Sequence, residues 1–192
     1  MINAADGSIA GTVDLGGAPE QAASDGKGHL YVDIEDKDKI AVVDAKTLTV
    51  TAQYDLAGKG GGCAGLAMDV KNHILFAACR EPQNMVVLDA KDGKIITTLP
   101  IGRGTDGAVF NPSTMEAFSS QGDGTLTIVK ENSPTSFAVE QTLPTKVSAK
   151  TLTLDSKTGH ILLIAADFGP TPAGERRGPM LPDSFSILVV GK

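Results

Sequence analysis

No apolar stretch in the sequence approaches 18 residues, so no segment reads as a membrane-spanning helix. The opening Met1-Ile2-Asn3-Ala4-Ala5-Asp6-Gly7 lacks the basic start and following apolar run of a signal peptide. Alone, that implies a cytosolic protein or one whose targeting sequence lies upstream. Excess positive charge is missing too. The formal net charge of −6 argues against a general nucleic-acid-binding surface, which needs summed positive potential, though it leaves room for a local basic patch. Acidic blocks and polar tracts are absent, and a hydrophobic content of 41% is too high for a disordered chain. Helical periodicity is scarce, because 22 glycines and 10 prolines break the sequence into short pieces. What remains are brief apolar runs rich in Val, Ile, Thr and Leu between Gly, Asp and Asn clusters, the pattern of an all-β chain. At 192 residues there is material for one domain or two small ones.

Self-comparison supplies the organisation. Four segments align: Gln21-Ala-Ala-Ser-Asp25, Gly65-Leu-Ala-Met-Asp69, Gly107-Ala-Val-Phe-Asn111 and Thr151-Leu-Thr-Leu-Asp155, their last residues spaced by 44, 42 and 44. Each is followed by a turn and further strands, for example Leu30-Tyr31-Val32 and then Ile40 to Asp44 in the first repeat. Four strands in some 43 residues is the size of a β-propeller blade. A solenoid is the alternative, but its repeats are usually shorter and lack this hairpin–hairpin rhythm. The Asp or Asn closing each inner strand is suited to bonding backbone N–H groups of the next turn.

The phase of the repeat carries its own expectation. Asp6 to Leu15 matches Asp92 to Ile101, which puts residues 8–15 in the outermost-strand position. The whole chain, 1–192, then reads as a single partial propeller domain. An outermost strand covers 8–15, blades cover 17–56, 61–101, 103–143 and 147–190, and the last blade lacks its own fourth strand. In a self-contained ring, Ile9 to Leu15 would pair with Phe185 to Val190. An open arc, or two chains completing each other, is the expected outcome instead, with self-association through exposed blade edges.

Tyr31-Val32-Asp33-Ile34 followed by Lys39-Ile40-Ala41-Val42-Val43-Asp44 resembles the repeat of the bacterial YVTN-type (YncE-like) propeller family. The junction Pro100-Ile101-Gly102 with Gly107-Ala108-Val109-Phe110-Asn111-Pro112, and the ending Ser184 to Gly191, are similar to it as well. The resemblance implies the C-terminal portion of a propeller that usually has seven blades, and a periplasmic or secreted location. Members of that family have been linked to nucleic acid, surface layers and redox-enzyme partners, so the resemblance carries fold more than function.

Few residues point to chemistry. With Asp69 opposite His73, the pairs Ala67–Leu75, Gly65–Ala77 and Cys63–Cys79 follow, and facing cysteines lie within reach of a disulfide. Two buried free thiols are the alternative. His29, His73 and His160 follow the first hairpin turns of their own repeats and are expected not to converge, so no metal site is predicted. There is no Gly-x-Ser-x-Gly turn, no Cys-x-x-Cys-His, and no phosphate-loop ending after Gly58-Lys59-Gly60-Gly61-Gly62. Ser119 and Ser120 read as packing residues. No catalytic residue and no cofactor is expected.

Propeller function usually sits on one loop face. The strand phase puts Arg80, Arg103, Asp106, Lys150, Arg176 and Arg177 there as candidate ligand-binding residues. The five basic residues among them predict local positive potential, tempered by Asp33, Glu35, Asp36 and Asp38 in the corresponding loop of the first repeat. The Pro- and Gly-rich segment from Phe168 to Asp183 is long enough to cover part of the channel. The leading expectation is a non-enzymatic binding or scaffolding module for a protein, a nucleic acid or a small anionic ligand. A propeller hydrolase, lactonase or lyase, and an accessory domain of a periplasmic redox system, are the alternatives.

Overall fold

The computed structural model describes residues 1–175 and 177–191. Four antiparallel sheets follow one another along the chain, each a simple meander. Blade 1 comprises β1 (Pro19–Ser24), β2 (His29–Ile34), β3 (Lys39–Asp44) and β4 (Thr49–Asp55); blade 2 comprises β5 (Gly65–Asp69), β6 (Ile74–Ala78), β7 (Asn84–Asp89) and β8 (Ile95–Pro100). Blade 3 is formed by β9 (Thr105–Asn111), β10 (Glu116–Gln121), β11 (Thr125–Ser133) and β12 (Ser136–Pro144). Blade 4 has three strands, β13 (Lys150–Asp155), β14 (His160–Ala165) and β15 (Ser186–Val190). The protein is all-β and forms a partial β-propeller. Among the described residues no helix is long and apolar enough to cross a membrane.

The anchors repeat one local device. Asp25 Oδ1 accepts from Lys27 N, Asp69 Oδ1 from Lys71 N, Asn111 Oδ1 from Ser113 N and Asp155 Oδ1 from Lys157 N, at 2.7–3.0 Å. Each side chain imitates a backbone turn and so fixes the inner hairpin of its blade. Around Asp25, burial opposes ionisation. Hydrogen bonds from the His29 and Lys27 N–H groups and the His29 ring outweigh it and hold the carboxyl down at about 2.

The blades stack through their faces. Tyr31, Ile40 and Val42 of blade 1 meet Leu66, Leu75 and Val86 of blade 2. The other face of blade 2 gives Phe76, Met85 and Val87 to Ala108, Ala117 and Val129 of blade 3. Phe118, Leu126 and Ile128 then pack on Ile161 and Leu163 of blade 4. Covered on both sides, β6 is buried at every residue, which explains its unbroken apolar run. At the axis β1 packs on β5, β5 on β9 and β9 on β13. That approach depends on glycine: a Cβ on Gly65 would lie 2.6 Å from the Gly107 carbonyl carbon.

Two expectations are corrected here. Residues 8–15 form no strand. The chain start folds back on itself, with Asn3 N donating to Ser8 O and Ala10 N to Met1 O, and Val13 and Leu15 pack on the outer face of blade 1 against Val32, Ile34, Ala41 and Val43. Without an open ladder beside it, the segment gains more by covering that apolar face than by extending. No pairing with β15 occurs, and the arc stays open: Ile187 and Val189 on the free face of blade 4 are 58% and 61% exposed. The second correction is register. Asp69 opposes Ile74 and Ala67 opposes Phe76, one residue beyond the predicted pairing. His73 is absorbed into the turn in a left-handed conformation, φ 59°. Cys63 and Cys79 lie beyond the regular ladder, and the structure joins them by a disulfide.

Candidate functional site

Where the four inner strands converge, an open cleft of about 330 Å³ is lined by Glu20 and Gln21 of blade 1, Ala64 of blade 2, Asp106 and Gly107 of blade 3, and Thr151 and Leu152 of blade 4. Two β-bulges build it. In β1 the pairing steps from Pro19–Ile34 to Ala22–Val32, so Glu20 and Gln21 together oppose Asp33. In β13 it steps from Lys150–Ile164 to Leu152–Leu163, leaving Thr151 as the extra residue. Bulges redirect side chains, and both extra residues turn toward the axis. Thr151 is left-handed at φ 63°, an unusual conformation for a β-branched residue, and its hydroxyl donates to Asp106 Oδ2 at 2.7 Å.

Gln21 ties three blades together. Its Oε1 accepts from Leu66 N at 3.1 Å and from Ala108 N at 2.9 Å, while Nε2 donates to Ala108 O at 2.8 Å. Around it runs a chain of alternating charges, one side chain per blade. Glu35 pairs with Arg80, Arg80 Nη2 stands 3.8 Å from Asp106 Oδ1, and Lys150 Nζ donates to the same oxygen at 2.9 Å. Arg80 Nε also donates to Thr105 O at 3.1 Å. Burial, then the charge of Glu35, pushes the Glu20 carboxyl above its ordinary value, and Arg80 offsets only part of this. Beneath the bulge, Asp33 is fully buried with neither carboxylate oxygen hydrogen-bonded. Burial first, and the charge of Glu20 second, raise it well above the normal carboxylate range.

The predicted candidates divide accordingly. Arg80, Asp106 and Lys150 come together at the cleft. Arg177 lines an adjoining groove of about 240 Å³ with Lys150, Asp106, Phe168 and Phe185, its guanidinium carbon 4.6 Å from the Phe168 ring centroid. Arg103 stands apart: its backbone N donates to Asp123 Oδ2, and its exposed side chain lines neither cleft. Arg176 lies outside the described residues. The expected free positive potential is not what this geometry provides, because Arg80 and Lys150 are both held by carboxylates. In the long loop Phe168 bridges Met180, with Gly169 N donating to Pro179 O and Leu181 N to Asp167 O, and Phe168 and Met180 wall the groove.

The histidines correct another expectation. His29 and His73 both line a cleft of about 470 Å³ between blades 1 and 2, with Tyr31, Tyr54 and Lys91. Its two tyrosines, His29 and Asp25 are already engaged. Tyr31 and Tyr54 both donate to Ala90 O, and His29 Nδ1 sits 2.8 Å from Asp25 Oδ2. Burial pushes the Tyr31 hydroxyl up to about 12. Among the described residues no group of three or more His, Cys, Asp or Glu side chains is arranged to hold a metal ion. The axial cleft, where one charged side chain from each blade is brought together, has the stronger claim as the site.

Among solved structures, the chain is similar to the Kuenenia stuttgartiensis hydrazine synthase, at 16% identity and a TM-score of 0.69, covering 95% of this chain and 53% of that one. A chain of a mitotic checkpoint complex is similar at 16% identity and a TM-score of 0.68, covering 88% of this chain and 50% of that one. The chain thus spans about half the length of these propeller-type structures, and the likeness is one of fold. No family model matches it, and no curated protein matches it.

Proposed function

We propose that the chain is a non-enzymatic binding or scaffolding module that engages a protein partner on the loop face, centred on the axial cleft. The observation that carries this is the Glu35–Arg80–Asp106–Lys150 chain, which fixes one polar side chain from each blade around an open cleft. Such a platform is ordered before its partner arrives and spends little conformational entropy on binding. Its carboxylates, Glu20, Glu35 and Asp106, outnumber Arg80 and Lys150, so a basic polypeptide segment complements it better than a nucleic-acid backbone or a small anion. A similar fold in a mitotic checkpoint complex supports a protein partner. The YVTN-type resemblance and the Cys63–Cys79 crosslink support a periplasmic or secreted setting.

The test is titration with an oligolysine peptide, an oligoglutamate peptide and single-stranded DNA at low and physiological salt. Oligolysine is expected to bind, and Glu20→Gln to weaken it by about two- to fivefold, the worth of one exposed charge. Preference for oligoglutamate or DNA would overturn the reading.

A further inference from the structure

Blades 1 to 3 each end on a fourth strand paired antiparallel to the third: β4 on β3, β8 on β7 and β12 on β11. In blade 4 the outward edge of β15 has no partner among the described residues. Beside that edge lies a cavity of about 290 Å³, lined by Gln141 and Leu143 of β12, Phe118 and Ile128 of blade 3, and Ile161 and Val190 of blade 4. Between blades 2 and 3 the outer strands close on each other, since β12 packs against β8 of the neighbouring blade. The free face of blade 4 is apolar as well, with Phe185 at 59% exposure alongside Ile187 and Val189.

The chain carries a sequence suited to that edge. Residues 6–15 match 92–101, which contain β8, whose Ile95 and Leu99 pack into the interface cores. In its present seat only part of this segment is used: Val13 and Leu15 lie on blade 1, while Ile9 is 80% exposed. Transferring the β7–β8 register to β15 sets Val190 opposite Ile9, Ile187 opposite Val13 and Ser186 opposite Asp14. Ile9 then meets Val190 at the wall of the cavity.

We infer that a second copy of this chain docks head-to-tail on blade 4, giving its residues 8–15 to β15 as the fourth strand and its blade 1 outer face to the bare face of blade 4. The same chain cannot do this for itself, because its own segment sits on blade 1 at the far end of an arc whose angles are set by three packed interfaces. The link permits it. Residues 16–18 lead straight from the donated strand into β1, as 101–104 lead from β8 into β9. Moving the segment uncovers Val32, Ile34, Ala41 and Val43, and these are the side chains that then meet Ile164, Ile187 and Val189. Both apolar surfaces are buried by one heterologous contact, and the open edge gains its ladder.

Sedimentation of the wild-type chain over a range of concentrations, joined to a cysteine trap, tests this. The wild type is expected to associate, with two chains or more joined head to tail. Asp14→Cys protein mixed with Ser186→Cys protein should form a crosslink on mild oxidation; Asp14 is exposed, Ser186 is half-buried with its hydroxyl donating to Ala165 O, and neither belongs to a core cluster. Ile187→Asp with Val189→Asp, also exposed in the single chain, should abolish both association and crosslinking. A wild type that stays monomeric at high concentration overturns the inference. So does association that survives the double aspartate variant or proceeds without the 14–186 crosslink.

Discussion

Replacing Cys63 and Cys79 together by alanine is expected to lower the unfolding free energy by about 3 kcal/mol, the chain-entropy value for a closed loop of this size. The crosslink spans a separation of 16 residues and joins the two ends of the innermost hairpin of blade 2. Alanine is the right replacement, because both sites are buried and serine would add an unpaired hydroxyl. The effect reaches the candidate site. Arg80 follows Cys79 directly, and both Arg80 N and Glu81 N donate to Gly61 O on the other arm of the loop. Without the crosslink, the arm presenting Arg80 to Glu35 and Asp106 keeps these bonds, those of Cys79 N to Asn84 O and Ala64 N to Ala78 O, and the surrounding packing. Urea unfolding of the variant, and of wild type with and without reductant, is the measurement. The variant and the reduced wild type should share a lowered midpoint. A midpoint indifferent to reduction would show that the hairpin is held by packing alone.

The fold was legible because its signals are local. Asp25, Asp69, Asn111 and Asp155 mark their turns with side-chain bonds to backbone two residues on, and no tertiary context is needed to find them. The misread elements depend on context. The pattern from Asp6 to Leu15 suits an outer strand only when an edge is offered, and within one chain blade 1's apolar face is the nearer cover. The register at Cys63 slipped because nothing in the sequence says that His73 accepts a left-handed conformation. The site itself was half visible. Arg80, Asp106 and Lys150 follow from strand phase, while Gln21 and Thr151 were missed. The signal was nevertheless present: blades 2 and 3 hold Gly65 and Gly107 at the start of the aligned segment, and blades 1 and 4 replace that glycine by Gln21 and Thr151. A position where a repeat alternates between no side chain and a polar one is where room is made and then used.

Asp33→Asn is expected to stabilise the protein at neutral pH, by about 1.4 kcal/mol for each pH unit that separates the carboxyl's raised folded value from its unfolded one. Asp33 shares the face of β2 on which Tyr31 meets blade 2, and it opposes Ile40. Neither of its oxygens has a hydrogen-bond partner, and the charge that bears on it is that of another acid, Glu20. Burial and Glu20 both favour the neutral form, so the folded protein holds a proton there that the unfolded chain releases at about pH 3.9. The sign follows. A carboxyl raised in the folded state costs nothing while both states are protonated, and stability is lost as pH rises from about 3.9 toward the folded value. Asparagine keeps the shape and cannot ionise, so its advantage should be absent near pH 3 and grow through that window to a plateau. Thermal unfolding of both proteins from pH 3 to pH 8 measures it. Curves that run parallel across the range would mean that the buried Asp33 carboxylate is compensated in the folded protein.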